Sequence, residues 1–164
     1  MLSKSMLKAL NEQVNQELYA SYLYLSMSAH FESANLPGFA LWMQVQSKEE
    51  NGHAMKIYKY IHNRGDRVML EAIDKPPSSF KKPLDVMKQA LEHEKKVTGL
   101  ITRLYEVAMK EKDYPTQVML QWFINEQVEE EKTASDIIEL LKQVGDAPAG
   151  LIMLDRQLGA RAGS

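Results

Sequence analysis

The sequence predicts an all-α fold: a four-helix bundle with a long crossover between its second and third helices and a short fifth helix near the C-terminal end. Three observations lead there. Apolar residues recur at alternating steps of three and four along four long stretches, the spacing that keeps one helical face turned toward its neighbours. Glycine and proline are scarce, 8 and 6 in 164 residues, too few for a turn-rich β fold. The connection between the second and third stretches is about 18 residues long, far beyond the usual helix–helix link.

The first helix is predicted from about Ser5 to Ser33, with the seam Leu7, Leu10, Val14, Glu17, Ser21, Tyr24, Ser28 and Phe31. Leu36-Pro37-Gly38 reads as a short turn. The second helix runs to about Asn63 with Phe39, Met43, Gln46, Glu50, His53, Ile57 and Tyr60 on its seam, and Gly65 supplies its stop. Residues 65–82, with Pro76-Pro77, form the long connection. The third helix runs from about Pro83, a good first helical residue, to Lys110; its seam is Leu84, Met87, Leu91, Glu94, Thr98, Ile101, Tyr105 and Ala108. Asp113-Tyr114-Pro115 marks a turn into the fourth helix, which reaches about Val144 through Leu120, Phe123, Gln127, Glu130, Ala134, Ile137 and Leu141. Gly145, Pro148 and Gly150 interrupt the pattern, and a short fifth helix covers about 148–158.

Such seams pack at shallow angles. Short turns make the first and second helices antiparallel, and likewise the third and fourth. A helix of about 27 residues is about 40 Å long, and 18 extended residues reach about 60 Å. The crossover can therefore span the bundle and leave the second and third helices parallel. The whole chain, 1–164, reads as one domain with the bundle at about 5–144.

Composition narrows the function. Apolar and charged contents of 45% and 26% are those of an ordinary globular protein. A net charge of −2 gives no drive toward nucleic acid or anionic membranes. The absence of cysteine excludes disulfides, zinc–thiolate sites and iron–sulfur clusters. The opening residues Met1 to Met6 lack the apolar run of a signal peptide, and no stretch approaches the roughly 18 apolar residues of a membrane span. The expectation is a cytoplasmic protein.

The most informative feature is a repeat of polar residues inside the apolar seams. Glu50 and His53 follow Glu17 by 33 and 36 positions, Gln127 and Glu130 follow Glu94 by the same 33 and 36, and the triplets are offset by 77. A glutamate on a helix ordinarily lies on a solvated face, and the run Glu129-Glu130-Glu131 read alone is just that. Here each helix places an acid near its middle, and the second and fourth add His53 or Gln127. Burying one carboxylate costs several kcal/mol even after relaxation. Four together need protons or cations, and two divalent cations balance four carboxylates. Protonation alone gives no reason for His53 one turn after Glu50.

The known template for a di-iron carboxylate bundle is a Glu from each of two helices and a Glu-x-x-His from each of the others. Glu17 and Glu94 are the single acids. Glu50-Asn51-Gly52-His53 is an intact Glu-x-x-His, and Gln127-Val128-Glu129-Glu130 is a degenerate copy. Oxygen and imidazole ligands without thiolate suit Fe²⁺ or Mn²⁺, with Zn²⁺ as an inhibitor. Two irons deliver two electrons to O₂ together, so superoxide need not be released. Glu17, Glu50 and His53 should hold one iron firmly. Glu50, Glu94 and Glu130 should hold a second more weakly, with neutral Gln127 contributing weakly or only by hydrogen bond. Tyr24, one heptad after Glu17, reads as a core tyrosine, a hydrogen-bond donor or a one-electron donor. Glu49 and Glu126 are another pair 77 apart; with Glu129 they line the site or lie on the surface. His30, His62 and His93 fall off the ligand seams and read as structural or surface residues.

The segments Asn11-Glu12-Gln13, Glu17-Leu18-Tyr19, Tyr22-Leu23-Tyr24-Leu25-Ser26-Met27, Lys75-Pro76-Pro77, Glu111-Lys112-Asp113-Tyr114 and Asn125 to Glu131 extend the match. Through them the chain resembles the prokaryotic non-haem ferritins over nearly its whole length. The resemblance implies a ferritin-like four-helix bundle, ferroxidase activity with O₂ or H₂O₂ as oxidant, and a hollow octahedral shell of 24 subunits storing a ferric oxyhydroxide mineral. It implies Glu17, Glu50 and His53 for the first iron, and Glu50, Glu94 and Glu130 for the second with Gln127 adjacent. It adds a third iron site from Glu49, Glu126, Glu129 and Glu130, and makes Tyr24 the tyrosine beside the centre. Bacterioferritin is similar but has a second Glu-x-x-His, and its haem methionine is replaced here by Asn51, so no haem is expected. Rubrerythrin needs a cysteine-ligated iron, and mini-ferritins lack the fifth helix. The apolar Leu151, Ile152, Met153, Leu154 and Leu158 cannot all bury against one bundle, and a helix that short needs partners.

Two other classes compete. A di-iron oxygenase or peroxidase would need a substrate tunnel and usually an electron-donating partner, and no sequence feature points to either. A metal-free binding bundle leaves the buried acids without a purpose.

Overall fold

The computed structural model describes residues 1–163; the expected domain end at residue 164 lies outside them. Five α-helices and no strands occur among the described residues: α1 (Lys4–Ser33), α2 (Pro37–Asn63), α3 (Pro83–Glu111), α4 (Tyr114–Val144) and α5 (Pro148–Gly159), followed by a 3₁₀ turn at Ala160–Gly163. No described helix is long and apolar enough to cross a membrane.

The helix ends follow from local chemistry. Ser3 caps α1, its Oγ accepting the Met6 N–H at 2.9 Å. Asp113 caps α4 through the Thr116 N–H. Gly65, at φ +81°, ends α2 while the Asp66 N–H turns back to the Ile61 carbonyl. Two predicted turns are shorter than expected. Pro37 and Tyr114 each begin a helix rather than sit in the turn before it. For Pro37 the reason is that a first helical residue needs no N–H partner and proline is preset for that position.

α1 packs on α2, α3 on α4, and α1 on α3. The end of α1 and the start of α2 share one apolar cluster with the start of α3 and the end of α4, around Met27, Phe31, Phe39, Met87 and Ile137. The opposite ends share a second, around Leu10, Ile57, Ile101, Leu120 and Phe123. The helices α2 and α3 thus start at the same end and run parallel. The crossover joins them by lying along α1. The Leu2 N–H donates to Asp66, the Met69 N–H to Asn11, Asn15 to the Ala72 carbonyl and Ser26 to that of Pro77; His30 meets the Lys81 carbonyl. The predicted seam residue Ser21 is only half-buried. It fastens α1 to α2 instead, through reciprocal bonds between Ser21 and Ser47 hydroxyls and carbonyls at 2.8 and 2.7 Å.

The fifth helix is seated by a contact that pattern reading did not reveal. Leu36 offers α2 no side-chain cap. The buried Asp155 of α5 supplies one, accepting the Phe39 N–H at 2.9 Å. Gly38 permits the approach: a Cβ there would stand 1.6 Å from the Asp155 carbonyl oxygen. Leu154 and Leu158 are buried, whereas Ile152 and Met153 are 50% and 73% exposed, as the short apolar helix led one to expect.

Asp155→Ala should cost about 1 kcal/mol, the usual worth of an N-cap. Hydrogen exchange should accelerate together in the first turn of α2 and in α5. Gly38→Ala should displace α5 outright, read as lost amide protection across 148–159.

Candidate metal centre

The 33/36 repeat converges on one layer midway along the bundle, between the two apolar clusters. Residues three apart share a helical face, so Glu50 and His53 point inward together from α2, as Gln127 and Glu130 do from α4. α1 contributes Glu17 and α3 contributes Glu94. Glu17, Glu50 and Glu94 are each 1% exposed and Glu130 is 8%. His53 and Gln127 are also buried.

Three groups among the described residues bring their ligand atoms within 4.8 Å of one another: Glu17 with Glu50 and His53; Glu50 with Glu94 and Glu130; and His53 with Glu126 and Glu130. Glu50 is common to the first two, and Glu130 to the last two. Gln127, a carboxamide, lies beside the second of them. Its Nε2 donates to the Glu94 carboxylate and to the Glu94 backbone carbonyl, each at 3.1 Å. Of the four acids expected at a third position, Glu126 and Glu130 come together while Glu129 is exposed. Glu49 is exposed too and paired with Arg161 at 3.0 Å. Sequence reasoning had not placed His53 in that group; its Nε2 lies 3.8 Å from Glu126.

Hydrogen bonds hold the acids in place. The buried Tyr24 hydroxyl donates to Glu94 Oε1. Gln13 donates to Glu17 Oε1 at 2.8 Å. Gln46 donates to Glu130 Oε2 at 2.5 Å and to Glu50 Oε1 at 3.4 Å. His53 Nδ1 lies 3.1 Å from Glu50 Oε2. Neither glutamine was predicted to act here, though a signal existed: Gln13 and Gln46 each stand four residues before a repeat acid and are themselves 33 apart. His93, off the seam as read, is buried beside the rings of Tyr19 and Tyr24. Burial holds its imidazole down at about 4, so it is neutral.

The electrostatics call for a cation. Burial, then the Glu50 charge, pushes Glu17 well above the ordinary carboxylate range. Burial, then Glu94 and Glu130, does the same to Glu50. Burial raises Glu94 against the opposing bonds from Tyr24 and Gln127. Glu130 rises to about 7 through burial and the Glu94 charge. Burial and Glu94 also push Tyr24 well above the usual phenol value, so it stays a neutral donor. Glu17 Oε2 is buried with no hydrogen-bond partner among the described residues. An orphaned acceptor among crowded acids and one imidazole fits divalent iron in both donor type and charge.

The sign of the resulting pH dependence is fixed. For metal-free protein, Glu130 holds its proton more tightly folded, at about 7, than at its ordinary 4.5. Its contribution to stability is therefore full below about 4.5 and lost as pH rises through about 7; Glu17 and Glu50 act in the same direction. The melting temperature of chelator-treated protein should fall between pH 5 and 8, and Glu130→Gln should flatten that fall. A melting temperature that rises over this range would contradict the assignment.

The comparisons agree with this architecture. Residues 7–144 match the family model described as "Ferritin-like domain". A bacterial non-heme ferritin of Bacteroides fragilis (strain 638R) is 44% identical over 161 residues, covering 98% of this chain and 100% of the relative. One from Staphylococcus haemolyticus (strain JCSC1435) is 41% identical, covering 99% and 98%. Among solved structures, an open pore ferritin from the hyperthermophilic archaeon Archaeoglobus fulgidus superposes with a TM-score of 0.96 at 46% identity, covering 97% of this chain and 98% of that one. With its bundle, its crossover and the inward-facing acids, the chain belongs to the ferritin family.

Proposed function

We propose that this protein stores iron and is a ferroxidase: it oxidises Fe²⁺ at the buried centre and holds the product as ferric oxyhydroxide inside a shell of 24 copies in the cytoplasm. The observation that carries this reading is the juxtaposition of two buried ligand groups through a common Glu50. Fe²⁺ is the substrate. Glu17, Glu50 and His53 hold one ion, and Glu50, Glu94 and Glu130 hold the other. Each Fe²⁺ gives up one electron, and O₂ or H₂O₂ takes both. Gln127 restrains Glu94 through its amide N–H and contributes to the second position weakly or through that hydrogen bond alone. Tyr24 restrains Glu94 from the other side and is the nearby phenol able to lend one electron. The first position draws its ligands from α1 and α2 alone, while the second depends on three helices, so the second is the weaker.

A third ion binds beside these, on Glu126 and Glu130, with Glu49 and Glu129 reaching it by moving. The proximity of Glu126, Glu130 and His53 supports this position. It offers oxidised iron a way out of the centre and toward the mineral. The exposed Ile152 and Met153 of α5 support a role for that helix between subunits.

Aerobic loading of purified protein with Fe²⁺ should give thousands of retained iron atoms per soluble cage. About two per chain would point instead to an oxygenase, and none to a binding module. Glu50→Ala should abolish the fast phase of oxidation, followed by stopped-flow absorbance, while slow mineral growth continues. Removing residues 146–164 should weaken shell closure by size-exclusion chromatography and leave the helical circular dichroism of the bundle intact, at a lower melting temperature because the Asp155 cap is gone.

A further inference from the structure

We propose that Arg161 is a positioning residue for the metal centre: it occupies Glu49 as a resident cation and fixes Gln46 so that the amide N–H, not the carbonyl, faces Glu50 and Glu130. This rests on the reading that the buried acids bind iron.

Trp42, Gln46 and Glu49 follow one another on α2 at steps of four and three, forming one stripe. The Arg161 guanidinium lies along it. It sits 4.7 Å from the centroid of the Trp42 ring and bonds Glu49 Oε2 at 3.0 Å. Its Nη1 and Nη2 each donate to Gln46 Oε1 at 3.2 Å. A planar fork can grip one acceptor with two donors and stack on an aromatic face at once, which a lysine cannot.

The grip matters because a carboxamide has two unlike ends. With its oxygen held by Arg161, Gln46 gives its N–H groups to Glu130 and Glu50. Turned over, it would set a carbonyl oxygen against two carboxylates. Arg161 removes that alternative. It also neutralises Glu49 beside an already crowded set of acids, so a third divalent ion recruiting Glu49 must displace the guanidinium. The backbone that presents Arg161 follows directly from α5, whose seat on α2 is set by Gly38, Asp155 and Leu158. The C-terminal segment therefore acts on the affinity of the outermost cation position.

The test is calorimetric titration of the assembled, metal-free, full-length protein with Fe²⁺ under anaerobic conditions, and with redox-inert Zn²⁺. Arg161→Ala should tighten the weakest class of ions about three- to tenfold, the scale of one partly exposed ion pair removed as competitor. Arg161→Lys, which keeps the charge, should stay near wild type in that class. Combining Arg161→Ala with Glu49→Gln should erase the gain, whereas a role in tail packing alone would leave it unaffected by Glu49. An unchanged isotherm for Arg161→Ala, or a gain that persists with Glu49→Gln, would overturn the proposal. Glu50→Ala in the same titration separates the two levels. Loss of tight binding there, with no effect of Arg161→Ala, overturns only the role of Arg161. Retention of tight binding overturns the centre and this inference with it.

Discussion

Four carboxylates and one imidazole share the middle layer of the bundle, nearly sealed from water. In that setting like charges a few ångströms apart repel strongly and have little solvent to screen them. The layer is tolerable only with protons or cations in place, and that requirement explains much of the arrangement around it. Apolar clusters above and below supply the folding energy the layer itself cannot. Neutral donors border it: Gln13, Gln46, Gln127 and Tyr24 each give a hydrogen bond to one of the acids. Uncharged donors orient the acids without cancelling the charge that attracts a metal.

Those donors also make the two halves of the layer unlike. On the α1–α2 side, Glu17 keeps one oxygen without a hydrogen-bond partner among the described residues. On the α3–α4 side, both Glu94 oxygens accept bonds, one from Tyr24 and the other from Gln127. A cation arriving at Glu94 must share or replace existing bonds, whereas one arriving at Glu17 meets a free lone pair. The substitution of Gln127 and Glu130 for a second Glu-x-x-His thus alters more than ligand count. It places at Gln127 a neutral donor that restrains the neighbouring Glu94.

Much of this was legible in the sequence. Seams at steps of three and four gave the four helices to within a few residues, and the length of the crossover determined the parallel course of α2 and α3. The inward acids were legible because a charge at an apolar position is conspicuous and here recurs at a fixed offset. What escaped was long-range and made by residues ordinary in their own surroundings. Asp155 is one acid on a short helix, and nothing local announces that it caps a helix 116 positions earlier. Arg161 meets Gln46 115 positions away. The 77-residue offset that marks Glu49 as a candidate ligand says nothing of its ion pair with that arginine. The roles of Gln13 and Gln46 are legible in their spacing, 33 apart and each four residues before a repeat acid.

The crossover has one more consequence. By carrying the chain back along α1, it divides the fold into two antiparallel hairpins, α1–α2 and α3–α4, each closed by a short turn. Glu17, Glu50 and His53 all belong to the first hairpin; the other two ligand groups each straddle both. A small separation of the hairpins would leave the first ligand group whole and split the other two. One ligand group is therefore complete within a single hairpin, and the other two require both halves.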